Sequence, residues 1–440
     1  MSNSKKHIIS QKPIDWLSVC LGDNEYFDLA TGGTPSTAEA KYWGGKIPWL
    51  SSGEVHKKRI FYTDNYISEL GYKHSNACYH PVGSTLIALA GQGKTRGTSA
   101  ITEIELTTNQ SVAAVIPNKE KVDSYYVYHY LDNEYKELRS ESSGAGRAGL
   151  SLKVLSNHQI LLPILNEQRK IAKILTTVDN LIEKTETLIA KYQSIKQGMM
   201  HDLFTRGVDA NGQLRPSVDE APELYKESEL GWIPKGWEVL RIEDLATQVT
   251  DGDHHTPIRS NSGEFLLSAR NILNGEIILK DVDYVPFSEY QRMIKRCFPQ
   301  PGDILISCSG TIGRICEVPY NLKFGLVRSV ALIKLNKDKY LSRYAEWTLR
   351  SEIIQRQILN SQLQAAQPNL FQEPIKKLLV PLPKKQEQEF IYNKLDLLER
   401  CIKTETINTK KMINLKHGLM QDLLTGKVRV TPDKPKDTKS

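Results

Sequence analysis

Two stretches carry residue types suited to phosphate and metal chemistry. Ala88-Leu-Ala-Gly-Gln-Gly-Lys94-Thr95 satisfies a relaxed phosphate-binding-loop pattern behind a strand-like run. Such a loop must open a helix whose amino terminus cradles the phosphate. The residues that follow, RGTSAITEIELTTN, are β-rich and show no helical stripe, so nucleotide binding is not expected. Asp251-Gly-Asp253-His254-His255 has the composition of a metal cluster, but adjacent side chains do not all converge on one ion without ligands from elsewhere. A polar turn or a DNA-facing loop is expected there. The sequence has no GxSxG, no HExxH and no Asn/Asp/Ser-Pro-Pro-Tyr/Phe motif, which leaves a self-sufficient hydrolase or methylase unsupported.

Basic and amide side chains in loops remain. The first half has Lys57, Lys58 and Arg59 beside Tyr62, then Gln92, Lys94 and Arg96, then Arg147. The second half has Arg259, Arg270, Asn271, Arg292, Lys295, Arg296 and Arg314. Lys and Arg neutralise phosphates, and Arg, Asn and Gln bond to guanine or adenine edges, so the clustering of these types in both halves points to duplex DNA.

Composition sets the frame for these candidates. The 440 residues, 40% hydrophobic and 25% charged, are those of a folded chain of several domains. A balance of 58 Lys plus Arg against 51 Asp plus Glu permits a polyanion partner without requiring one. Six scattered cysteines, with no CxxC, support neither a zinc ribbon nor a disulfide framework. No apolar run is long enough for a membrane span, and a cytoplasmic location is expected.

The chain repeats itself. KQGMMHDLFTRGV (196–208) recurs as KHGLMQDLLTGKV (416–428), and the same shift of 220 residues carries Pro163, Glu167, Gln168, Ile171 and Leu175 onto Pro383, Glu387, Gln388, Ile391 and Leu395. Upstream, Pro13 and Trp16 match Pro234 and Trp237, Thr31-Gly32-Gly33 resembles Thr250-Asp251-Gly252, and Ser111-Val112-Ala113 repeats as Ser329-Val330-Ala331. A period this long means that each copy is a domain with an appendage, not a solenoid repeat.

The appendages read as helices from about Asn166 to Phe204 and from about Lys385 to Leu424. An a/d heptad runs through Ile171, Val178, Leu181, Leu188 and Ile195 in the first, and through Leu395, Leu398, Ile402 and Leu415 in the second. At about 1.5 Å per residue each is about 60 Å long, too long to pack its whole stripe on a small domain. An intramolecular antiparallel coiled coil is the expected arrangement.

The fold class is therefore α+β, with two tandem globular domains separated by two long helices and an internal pseudo-twofold repeat. The expected segments are 1–158 (first domain), 159–208 (first helix), 209–232 (linker), 233–378 (second domain), 379–426 (second helix) and 427–440 (disordered tail).

LLPILNEQRKIAKIL (161–175), PLPKKQEQEFIYNKL (381–395), the two helix ends, LFTRGVDANGQL, GWIPKGWEV and Gln367-Pro-Asn369-Leu370 together resemble the DNA-specificity subunit of type I restriction-modification systems. The resemblance implies two target-recognition domains, each reading half of a bipartite asymmetric DNA target, with paired helices fixing the unread spacer. It also implies a non-catalytic chain without a cofactor of its own. Two methyltransferase subunits and the restriction and translocase subunits would use S-adenosylmethionine, ATP and Mg. The runner-up is a nuclease or methyltransferase fused to its own DNA reader, and a third reading is a scaffold that binds only proteins.

Overall fold

The computed structural model describes residues 13–91, 93–141, 150–320, 322–363, 369–370 and 372–431. The chain forms two compact units, Met1–Thr187 with Ile407–Ser440, and Leu188–Thr406. Each long helix is thus divided between units near its middle, where the sequence suggested a separate helical segment.

In the first unit, one sheet is ordered Phe27–Thr31, Val112–Pro117, Thr85–Ala88, Ser99–Thr102, Arg59–Ile60. A second runs Asn65–Ile67, Trp43–Leu50, Leu106–Thr108, Tyr79–His80, with Trp43–Leu50 parallel to Leu106–Thr108. Strand period explains how the first sheet is buried on both faces. Leu86, Ala88 and Ala114 pack with Leu50 and Leu106 of the second sheet, while Ile87, Ala113 and Val115 pack under Tyr126, Val127 and Tyr130 of the helix Ser124–Asn133. Asp123 caps that helix by accepting from the Tyr126 amide.

The second unit repeats the plan without the edge strands that match Arg59–Ile60 and Tyr79–His80 among its described residues. Ala246–Asp251, Val330–Leu335, Ile304–Ser307 and Ile315–Glu317 form one sheet, and Asp283–Val285, Glu264–Leu267 and Phe324–Leu326 the other. Ile304, Ile306, Ala331 and Ile333 face the helix Ser342–Arg350, and Leu305, Val330 and Leu332 face Leu267, Phe324 and Leu326. In each unit a two-stranded ribbon, Leu17–Cys20 with Gln159–Leu162 or Glu238–Arg241 with Leu379–Leu382, delivers the chain to the root of a long helix.

The long helices are Leu165–Thr205 and Lys385–Leu423. Within the first unit, Ile171, Ala172 and Leu175 of one share a core with Met420 and Leu423 of the other, and Asp179 meets Lys416 at 2.7 Å. Within the second, Leu203 and Phe204 share a core with Ile391 and Leu395, and Lys196 meets Glu399 at 2.7 Å. Low numbers on one helix meet high numbers on the other, so both pairings are antiparallel. They are built from repeat mates, Lys196 with Lys416 and Asp179 with Glu399.

The seam follows the expected heptad at six positions and departs from it by one residue at three. Ile171, Leu395 and Ile402 are buried, and Val178, Leu188 and Leu398 are partly buried. Leu181, Ile195 and Leu415 are instead 50%, 41% and 57% exposed. Their neighbours Ile182, Lys196 and Lys416 turn inward, with Ile182 buried and each lysine stem leading to its ion pair. The apolar stripe is wide enough to offer two seams, and the ion pairs select the one beside the predicted positions.

Candidate nucleic-acid interface

In each unit a buried glutamine joins the domain to its long helix. Gln168 is 1% exposed; its Nε2 donates to Pro163 O at 2.8 Å and Lys121 O at 3.2 Å, and its Oε1 accepts from Asp123 N at 2.9 Å. Gln388 is fully buried and does the same with Pro383 O, Lys339 O and Leu341 N at 3.0, 2.9 and 2.9 Å. Each carboxamide fastens a long helix to the loop that opens the domain helix. Leaving any one of these bonds unmade costs about 1–3 kcal/mol.

The preceding glutamates form a second clamp. Glu167 is bidentate to Arg429 at 2.7 and 2.8 Å, and Arg429 also holds Asp15. Glu387 is bidentate to Arg215 at 2.5 and 3.0 Å and accepts from the Val208 amide. Each arginine lies beyond the end of the opposite long helix. Gly207, at φ 64°, lets the backbone pass Glu387, since a Cβ there would fall 2.3 Å from Oε1.

On these scaffolds the predicted DNA contacts separate into three groups. Lys57 pairs with Glu54 and Asp64 at 3.0 and 2.7 Å, and Lys58 with Asp132 at 2.5 Å. Arg59 bonds Glu103 and Asn180, both at 2.8 Å, so it braces the domain against the first long helix. Asn271 is 1% exposed and closes a turn through Ser268 N and Ile278 O. Carboxylates, amides and backbone groups of the first or second unit itself thus occupy these four side chains, with Lys58 the most exposed of the three cations.

In the second group, Lys94 is exposed and Arg96 half-buried on the loop between Thr85–Ala88 and Ser99–Thr102. Tyr135 and Arg139 bond the Lys94 and Arg96 carbonyls, and a strand follows where a phosphate-binding loop requires a helix. Gln92, Arg147, Gln367 and the tail from residue 432 lie outside the described residues.

The third group lies in the second unit. Arg270 and Arg259 share Asp283 at 2.8 and 3.3 Å and stay exposed. Arg314 borders an open depression of about 470 Å³ whose lining includes Ser268, Arg270, Ser309, Thr311 and Ser329. Arg296 bonds Asp251, whose carboxylate also meets His254 and Gln372. Arg292 bonds Asp253 and Glu289. Burial pushes the Asp251 carboxyl up, but hydrogen bonds from His254, Gln372 and Arg296 outweigh it and hold the group below the usual range. The carboxylates of the metal-like cluster are thus held by side chains of the domain, and among the described residues no His/Cys/Asp/Glu group is arranged to hold a metal ion.

Arg328 and Gln372 belong to this face and were not singled out from the sequence. The Arg328 amide donates to Asp253 O, while its side chain is exposed and makes no ion pair among the described residues. Its position beside the repeated Ser329-Val330-Ala331 was the available signal. The backbone ties the face together through Leu370 N to Cys308 O at 3.0 Å and Cys308 N to Ser329 O at 2.8 Å.

Comparison with known proteins agrees with this duplicated plan. The family described as "Type I restriction modification DNA specificity domain" matches residues 13–193 and again 234–415. The MjaVIII specificity subunit of Methanocaldococcus jannaschii is 24% identical over 440 residues, covering 95% of this chain and 94% of that one. The EcoR124I/EcoR124II specificity subunit of Escherichia coli is 30% identical over 154 residues, 34% of this chain and 38% of that one. The crystal structure of a type I restriction-modification S subunit from M. genitalium superposes with a TM-score of 0.61 at 14% identity, over 95% of this chain and 97% of the other. No helix among the described residues is long and apolar enough to cross a membrane. With the family domain matched twice over most of its length, the chain belongs to the type I restriction-modification DNA-specificity family.

Proposed function

We propose that this chain is the sequence-reading and assembly subunit of a type I restriction-modification complex, each unit reading one half of a bipartite, asymmetric DNA target. The observation that carries the reading is the duplication itself. One scaffold, with the same order of the seven shared strands and the same buried glutamine at the helix root, occurs twice in one chain, while the residues displayed on the two domains differ. Two readers of unlike chemistry suit an asymmetric target, because phosphate contacts orient a protein and base contacts specify the sequence.

In this reading the chain is non-catalytic and cytoplasmic. Methylation of adenine and ATP-dependent restriction fall to partners, two methyltransferase subunits and the restriction and translocase subunits, which bring S-adenosylmethionine, ATP and Mg. The number of residues in the long helices sets the unread spacer. Selection of bound duplexes from a random bipartite library, using the chain assembled with its methylating partners, tests the proposal. Two conserved half-sites and a steep loss of affinity with salt are expected; the absence of any base preference contradicts it. Inserting four residues after Thr185 and after Glu405 should change the preferred spacing and leave both half-sites intact.

A further inference from the structure

The two units differ most informatively at the tip of one strand. Sheet register places Thr31 opposite Ala113 and Asp251 opposite Ala331, so Asp251, and not Thr250 as the sequence match suggests, occupies the place that Thr31 holds in the first unit. The next residues agree. A Cβ on Gly32 would fall 1.8 Å from Thr108 O and one on Gly252 2.4 Å from Leu326 O, the same close approach in both sheets. Gly33 and Asp253 follow. The first unit builds this sheet corner with no carboxylate, so the fold does not require one. A carboxylate buried to 7% exposure is unfavourable unless donors surround it. Asp251 has three such donors, from three separate elements: Arg296 beyond the helix Phe287–Ile294, His254 on its own loop, and Gln372 at the start of Gln372–Lys376.

Arg296 and His254 are both exposed members of the set, and Arg296 is the one that carries a planar fork of donors. Its Nη2 donates to Asp251 Oδ1 at 3.1 Å while half of its side chain remains open to solvent. An arginine fixed on one side by a buried carboxylate keeps a planar edge with two N–H donors facing outward. Its charge is largely offset, which suits it poorly to phosphate and well to a paired acceptor. In the major groove, guanine O6 and N7 form such an acceptor pair. Arg314 and Arg328 make no ion pair among the described residues, so their charge is not offset in the same way.

We propose that Asp251 is a positioning residue that holds Arg296 to read a guanine in the half-site of the second unit. The inference rests on the DNA-reading assignment and adds the base class and the residue that reads it.

The test uses the full chain assembled with its methylating partners and competition among duplexes that differ at single positions. Wild type should require guanine at one position of one half-site. Arg296→Ala, a surface change, should lower that discrimination by roughly 5- to 150-fold and leave the other half-site and the salt dependence unchanged. Arg296→Lys, which keeps the charge and loses the planar fork, should lower it too. Asp251→Asn should weaken discrimination at the same position, and the double variant should lose no more than Arg296→Ala alone. Uniform weakening on all sequences with a shallower salt slope would make Arg296 a phosphate contact and overturn the proposal, as would additive losses in the double variant. A wild-type chain with no base preference removes the DNA-reading assignment itself, whereas an intact preference that Arg296→Ala leaves untouched removes only this inference.

Discussion

The first unit orders the seven strands it shares with the second in the same way, with Thr31 where the second has Asp251, and with a short helix, Glu69–Lys73, where the second has the arginine-bearing Phe287–Ile294. At the helix roots the units are nearly identical: Gln168 and Gln388 make the same three bonds, and Glu167 and Glu387 are each held bidentate by an arginine. The contrast teaches that the joint between domain and helix is what the duplication preserves, while the displayed surface is free to diverge. A reader built this way acquires new chemistry without disturbing its scaffold.

The largest effect should come from the preserved joint. Gln168→Ala orphans the Asp123 amide and two carbonyls, and Gln388→Ala orphans the matching set. Each should destabilise its own unit by roughly 3–6 kcal/mol, seen as lost hydrogen-exchange protection confined to that unit. Equal loss in both units from either change would refute the independence of the two joints.

The glutamate clamps should be less equal. Glu387→Ala strands Arg215, 19% exposed, and should cost about 3 kcal/mol. Glu167→Ala releases Arg429, which is 43% exposed and keeps Asp15, and should cost about 1 kcal/mol. Thermal unfolding of the two variants measures the difference.

Acid should separate the units further. Burial holds His129 down to about 3, with Lys416 and Arg59 adding to it, and burial alone holds His80 down to about 4. Both lie in the first unit, and both take up a proton in the unfolded chain near the ordinary value of 6.5 before they do so when folded. Stability of the first unit should therefore fall as the pH drops below about 6.5, by about 1.4 kcal/mol per histidine per pH unit, less a part returned by Asp179, whose carboxyl burial raises. In the second unit, burial raises Glu317 and Glu346, so protonating them favours the folded state as the pH falls toward 4.5. Asp251 and Asp253, held low, are lost only below about 3.8. Hydrogen exchange at pH 7 and 5, corrected for intrinsic rates, should show the first unit loosening alone.

The sequence reveals the duplication, the α+β domains and the long helices because identical polar residues recur at one fixed shift and because strand and helix periods differ. Three seam positions differ by one residue from the heptad; at the first of them Leu181 and Ile182 are both apolar, and the sequence alone does not decide between them. The fate of Arg59 was equally illegible: Glu103 and Asn180, which hold it, lie 44 and 121 residues away. Asp251 was visible as chemistry, but the arginine and glutamine it gathers become its partners only through folding.

The central claim, that one chain carries two independent readers on one repeated scaffold, is tested most directly by replacing residues 1–158 with the matching domain of another family member and sequencing the targets methylated by the assembled complex. The account predicts that one half of the target changes while the other half and the spacer persist. A change in both halves, or none in either, would contradict it.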